Sequence, residues 1–302
     1  MKKSLVLLLT LTVVLALAAC GNKSNNNSGN ADSGEKLSGT IVAAGSTALQ
    51  PLVDNVSKKF MSEHSGVQIT VQPGGSGGGL TQVQAGQIEI GNSDIFAEEK
   101  FKGDDAAKAK ELVDHQVGVV GIAAVTNKEA GVDSLTKEQL IDIFTGKVTN
   151  WKDVGGADQK IVLVNRPSSS GTRATFENFA LGQKTEDIQG SIQEDASGTV
   201  KKLVGETPGA IGYLALSYLD DSIKAISYNG VAPTADNIAA GQYPVWAYEH
   251  MYTKGEPNAT VKAFLDYMLS DEIQNSDVTE MGYIPVAKMT VARDAAGNVT
   301  NK

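Results

Sequence analysis

The chain has 302 residues, enough for one or two globular domains, and its 41% hydrophobic content supports a sizeable core. Twenty-six basic residues against thirty-five acidic ones give a formal charge of −9, which argues against nucleic acid as a partner, because phosphate backbones are bound by dense Lys/Arg patches. Any anion held by this chain must therefore be held locally, against the field of the whole molecule.

At the N-terminus, Lys2 and Lys3 precede LVLLLTLTVVLALAAC, an apolar run of signal-peptide length that falls short of the ~20 residues a membrane span needs. The run ends in Leu17-Ala18-Ala19-Cys20, which resembles the lipobox of bacterial lipoproteins. The resemblance implies a signal peptide over residues 1–19 and a diacylglyceryl thioether on Cys20, and it accounts for a chain with a single cysteine. A plain signal anchor or a transmembrane helix is the alternative. Cleavage would remove two lysines, leaving 24 basic residues against 35 acidic ones, a net of −11. Residues 20–37 are rich in Asn, Ser and Gly and nearly free of apolar side chains, so they read as a flexible tether.

From residue 38, short β-rich runs alternate with helical periodicity, the mark of an α/β fold. Residues 39–44 (GTIVAA) read as a buried strand, followed by Leu49, Leu52, Val53, Val56 and Phe60 at helical spacing. Thr47 with Gln50 three residues on has the form of a capping box, and Pro51 falls in the first turn. Residues 67–72 alternate as a strand. Further strands are predicted at 88–90, 116–125, 160–165, 210–214, 224–228 and 245–251, and helices at 98–113, 137–145, 172–181, 200–205 and 258–269. So many elements favour two lobes over one sheet. No G-x-G-x-x-G opens a helix with an acid about twenty residues on, which disfavours a Rossmann dinucleotide site.

Four segments carry candidate chemistry. Ala44-Gly45-Ser46-Thr47-Ala48 turns from the first strand into the first helix, where unpaired N–H groups and the macrodipole attract anions; ordinary capping uses the same residues. Pro73-Gly74-Gly75-Ser76-Gly77-Gly78-Gly79 is a glycine loop that brings backbone close to a ligand and exposes consecutive N–H donors. No Lys-Ser/Thr pair follows it, so it is not a P-loop. The G-x-S-x-G around Ser76 matches a nucleophile elbow, but none of His64, His115 and His250 lies in a motif loop. The third segment, residues 88–94, runs a strand into a turn ending at Asp94, a residue type that also commonly caps helices. The fourth, NRPSSSGTRATF at 165–176, puts Arg166 at a strand end and Ser170-Gly171-Thr172 at a helix start. A guanidinium, hydroxyls and amides then converge within one turn, which suits a tetrahedral oxyanion. Three such strand-to-helix turns lie where open α/β sheets deliver ligands. No metal-ligand spacing or cofactor motif occurs.

Taken together, the lipobox, AGST, GGSGGG, GNSD, RPSSSGTR and PGAIGYLALSY resemble the phosphate-binding lipoproteins of bacterial phosphate ABC importers, from residue 38 to about 290. The resemblance implies a type II periplasmic-binding-protein-like α/β fold, two lobes joined by two crossover strands. Lobe I would hold residues 38–122 and 248–302, and lobe II residues 123–247. Phosphate contacts are implied at Thr47, the Ala48 backbone, Ser76, Asp94, Arg166, Ser170, Gly171 and Thr172. The permease of an ABC importer is the implied partner, with a monomer, lipid-anchored on the extracytoplasmic face of the cell membrane, doing no catalysis and carrying no cofactor or metal. Some members place an acid two residues after the arginine; here that position is Ser168, so Arg166 is either less neutralised or finds another partner. An acceptor-only Asp94 rewards a ligand O–H and repels a bare oxyanion, which ranks phosphate above sulfate or molybdate. A secreted serine hydrolase using Ser76 is the enzyme alternative.

Overall fold

In the computed structural model, which describes residues 36–185 and 191–302, the chain from Lys36 carries its own core and sheet. The expected signal peptide, Cys20 and the expected tether as far as residue 35 lie outside the described residues. β1 (Gly39–Gly45) is buried over its second half, as a central parallel strand must be. α1 (Gln50–Glu63) lays Leu52, Val53, Val56 and Phe60 on the sheet as one apolar stripe. β2 (Val67–Pro73) buries Val67 and Ile69 and turns Gln68 and Thr70 outward. α2 (Gly75–Gln84) leads to β3 (Ile90–Ser93), which pairs with β1 on the side opposite β2. Strand order thus reverses at β1, and the carboxyl ends of all three strands share one edge, where open α/β sheets bind ligands.

The long β4 (Leu112–Thr126) runs past this half. Beyond it come α3 (Lys137–Phe144), β5 (Val162–Asn165), α4 (Gly171–Phe176), β6 (Ile192–Gln193), α5 (Ser197–Glu206), β7 (Ala210–Ala215), β8 (Lys224–Ala225), β9 (Trp246–Lys254) and α6 (Ala259–Met268). Among the described residues these nine strands form one sheet in the order β2-β1-β3-β9-β4-β7-β5-β6, with β8 paired to β4. β4 changes partner midway: 112–121 pairs antiparallel with β9, and 122–126 with β7. β4 and β9 are therefore the strands through which the two halves of the sheet connect. A C-terminal hairpin, Val291–Arg293 with Val299–Asn301, seats the Arg293 guanidinium between the rings of Phe179 (3.6 Å) and Trp246 (4.0 Å).

Several boundaries differ from expectation. The helix predicted over 98–113 is two single turns, Ala97–Lys100 and Ala106–Ala109, and its last residues belong to β4. Gly103 at φ +58° breaks the run, and Phe101 is drawn into a buried cluster instead of facing along a helix. The strand predicted at 224–228 divides into β8 and Ser227–Tyr228, the latter pairing with Ser134–Leu135. β3 starts at Ile90, two residues later than expected. The glycine run is no loop: α2 begins at Gly75, so its glycines form the helix's first turns.

Candidate functional site

The site begins where β1 turns into α1. Gly45 sits at φ +134°, and a side chain there would strike the carbonyl of Asn92, so only glycine fits. Ser46, and not Thr47, caps the turn: its Oγ accepts from the amides of Ala48 (3.1 Å) and Leu49 (3.0 Å) and donates to Asp94 Oδ1. The expected Thr47–Gln50 capping box is absent, because the helix starts later, with Leu49 at its N-cap. Thr47 is thereby free to reach across the sheet. Tyr218 and Tyr283 hold the turn from outside, donating to the carbonyls of Thr47 (2.7 Å) and Ala48.

Asp94 is buried just past β3 and does not cap a helix. Its amide donates to Ser76 Oγ at 2.9 Å, and its Oδ2 accepts from Thr172 Oγ1 at 2.8 Å. Ser76 lies in the first turn of α2, and Thr172 in the first turn of α4. Contact between these two helix starts is close. The Gly77 amide donates to the Ser169 carbonyl at 3.0 Å, and a methyl on Gly171 would collide with the Ser76 side chain. Ser170 caps α4 by accepting from the Arg173 amide at 3.2 Å.

Arg166, at the end of β5, is only 1% exposed. Its Nη2 donates to Thr47 Oγ1 at 2.8 Å and to the Asp195 carbonyl, while Nε and Nη1 are buried with no hydrogen-bond partner. Its backbone is fixed from both sides: Asn165 Oδ1 accepts its amide (2.9 Å), and Arg173 Nη1 donates to its carbonyl (2.5 Å). Arg173 is in turn paired with Glu177 at 2.8 Å.

All eight sequence-predicted binding positions thus fall in one cluster drawn from both halves of the sheet; Cys20 lies outside the described residues. Three further residues join them. Asp195 answers the question posed by Ser168: Ser168 is exposed, and the Asp195 carboxylate instead stands 3.7 Å from Arg166 Nη2. Burial raises the Asp195 carboxyl above its usual range, with the Asp94 charge adding to this and Arg166 opposing it. Ser197 Oγ bonds Thr47 Oγ1 at 2.8 Å from the first turn of α5. The stretch DASGT at 195–199 has the same hydroxyl-and-glycine make-up as the other helix starts, which was the available signal. Glu249, on β9, is fully buried with both carboxyl oxygens unpartnered. Burial, then the neighbouring Asp94, pushes it well above the ordinary glutamate range. A lone acid inside WAYEHMY was its only mark in the sequence.

A hydrolytic centre does not assemble here. His250 Nδ1 pairs with Asp114 at 2.8 Å, His64 packs on Phe60, and His115 lies against Thr253. None of them contacts Ser76, whose hydroxyl is bonded to the Asp94 amide.

A family model described as the PBP superfamily domain matches residues 30–272. The phosphate-binding protein PstS of Bacillus subtilis is 54% identical over 301 residues, covering 98% of either chain. This chain belongs to the PBP superfamily, in the PstS family of phosphate-binding proteins. PstS of Staphylococcus aureus is 31% identical over 93% of this chain and 87% of its own. Among solved structures, a Clostridium perfringens phosphate ABC transporter substrate-binding protein with bound phosphate shares 33% identity at a TM-score of 0.75, over 82% of this chain and all of that one. An ABC-type phosphate transport receptor from Vibrio cholerae shares 29% identity at a TM-score of 0.65. The fold is accordingly the type II periplasmic-binding-protein-like α/β architecture, and the family's members are transport proteins and not enzymes.

Proposed function

We propose that this protein binds inorganic phosphate between the two halves of its sheet, outside the cytoplasm, and delivers it to the permease of an ABC importer. The observation that carries the reading is the Arg166 guanidinium: fully buried, with Nε and Nη1 unpartnered, inside a ring of hydroxyls and helix N-termini. Buried unsatisfied donors cost about 1–3 kcal/mol each, more when charged, and an oxyanion supplies the acceptors they lack. Thr47, Ala48, Ser76, Ser170, Gly171 and Thr172 complete the donor set. Asp94, the ring's acceptor, selects a ligand that still bears a proton.

In this reading residues 38–122 and 248–302 form one lobe and 123–247 the other, hinged on β4 and the approach to β9. Closure over the ion brings Thr47 to Arg166 and Asp94 to Thr172, a transition favoured by a ligand that binds the closed state better. Lipid anchoring through Cys20 and a monomeric state belong to the same proposal. Among the described residues no helix is long and apolar enough to cross a membrane. Isothermal titration with phosphate and sulfate tests the function. Wild type is expected to prefer phosphate by orders of magnitude, and Asp94→Asn to narrow that gap; an unchanged ratio in the variant removes Asp94 from the selective role.

A further inference from the structure

Two cavities open beside the site. One, of about 630 Å³, runs from Asp94 to Trp246 and the C-terminal hairpin. The other, of about 230 Å³, reaches Gly77 and Ser170. They share a rim made of Glu99, Lys102, Asn178 and Lys184. Asn178 Nδ2 donates to Glu99 Oε2 at 3.4 Å, so the rim joins the two halves of the sheet. Lys100 lines the second cavity, its ammonium 3.6 Å from where a side chain on Gly77 would begin, directly over the first turn of α2.

Lys100 and Lys102 come from the segment after β3, and Lys184 from the segment after α4, and all three are exposed. Lys184 pairs with Glu177 at 3.2 Å, a carboxylate it shares with Arg173. Two acids face these cavities besides Asp94. Glu99 is half-buried, and Asp294 is engaged by its own loop through Asn298 at 2.8 Å. Around the two cavities the three exposed lysines and the buried Arg293 outnumber Asp94, Glu99 and Asp294 by one charge, on a chain whose formal charge is −9.

We propose that Lys100, Lys102 and Lys184 steer the incoming oxyanion into the site and so set its association rate, not its grip once bound. The inference rests on the phosphate reading above. None of the three ammonium groups bonds a site residue. Exposed ammonium groups add little to a finished complex, yet act over a Debye length, about 10 Å at 0.1 M salt, on an ion still approaching. Local fields of this kind raise association rates by ~10- to 1,000-fold, steeply dependent on salt.

The test is stopped-flow binding of inorganic phosphate to the Lys36–Lys302 unit, which holds no native cysteine, labelled with an environment-sensitive fluorophore at Ala296→Cys on the rim of the larger cavity. The triple variant Lys100→Gln/Lys102→Gln/Lys184→Gln is compared with a control, Lys58→Gln/Lys262→Gln/Lys288→Gln, that removes the same charge from surfaces away from the mouth. At low ionic strength the mouth variant is expected to associate about tenfold more slowly than wild type. The difference should close towards 1 M chloride, the dissociation rate should stay within about twofold, and the control should follow wild type. Equal association rates and salt slopes in wild type and mouth variant overturn the proposal, as does a loss confined to dissociation or an equal slowing in the control. If the wild-type unit binds no phosphate in calorimetry, the phosphate reading itself fails, and this inference with it.

Discussion

Glu249 offers the sharpest test of the electrostatics described above. It sits on β9 where the register against β4 slips between Glu249 and His250, fully buried, with neither carboxyl oxygen hydrogen-bonded. Burial first, and the Asp94 charge second, raise its carboxyl well above the ordinary range. In the unfolded chain it ionises near an ordinary value of about 4.3. A carboxyl raised on folding contributes stability that is complete below that unfolded value and is lost as pH rises towards the folded one. The loss amounts to about 1.4 kcal/mol per pH unit.

Glu249→Gln keeps the shape and cannot ionise. The gap between variant and wild type should therefore widen in the variant's favour as pH rises above about 4.3, by up to about 1.4 kcal/mol per unit while the folded carboxyl keeps its proton. Urea unfolding of both proteins from pH 4.3 to 6.5 measures this as a pH-dependent gap between midpoints at constant m. Phosphate must be excluded from the buffers, since a bound ligand stabilises by mass action. A gap that stays constant with pH would show that Glu249 gains no proton on folding, and the account of its burial would be wrong.

Two substitutions test the cage itself. Gly171→Ala places a methyl 2.7 Å from Ser76 Cβ and 3.1 Å from Asp94 Cβ, so α4 must retreat from α2. Overpacking of this kind costs about 1–3 kcal/mol; calorimetry should show phosphate affinity down by about tenfold or more, with the circular dichroism of the fold retained. Arg166→Met removes the buried guanidinium, and losing one partner of a buried hydrogen-bonded charge costs about 2–5 kcal/mol, so titration should show at least a thirtyfold loss of affinity; binding within a factor of three of wild type would remove Arg166 from the site.

Much of this arrangement is legible in the sequence because its signals are periodic. The stripe Leu52, Val53, Val56 and Phe60 gives α1, and the alternation of 67–72 gives β2. The segment 97–111 misleads because its Glu, Lys and Ala content has high helix propensity, whereas tertiary burial of Phe101 and the turn at Gly103 decide its path. At the site, residue type is visible but direction is not. Ser46 and Thr47 are adjacent hydroxyls, and which of them caps and which crosses to Arg166 depends on the positive φ at Gly45. Asp195 escaped notice because its approach is a two-residue strand, too short to show any period, and its partner Arg166 is 29 positions away.

The proposed cage would also account for how a chain of charge −9 holds an anion at all. Arg166 stands close to one carboxylate, Asp195, and its Thr47 partner belongs to the same turn as the Ser46 that bonds Asp94, so little net positive charge remains near the ion. Attraction must come from dipoles: hydroxyls at 47, 76 and 172 and the starts of α1, α2, α4 and α5, which the bonds Thr47–Ser197, Ser76–Asp94 and Asp94–Thr172 hold against one another. Such groups are fixed by the backbone, so in the proposed site they would stabilise the ion without drawing it from distant solution. Drawing it in is a separate task, acting through water and open to screening. Salt should accordingly lower the association rate and, with it, the equilibrium affinity, while the dissociation rate stays nearly constant.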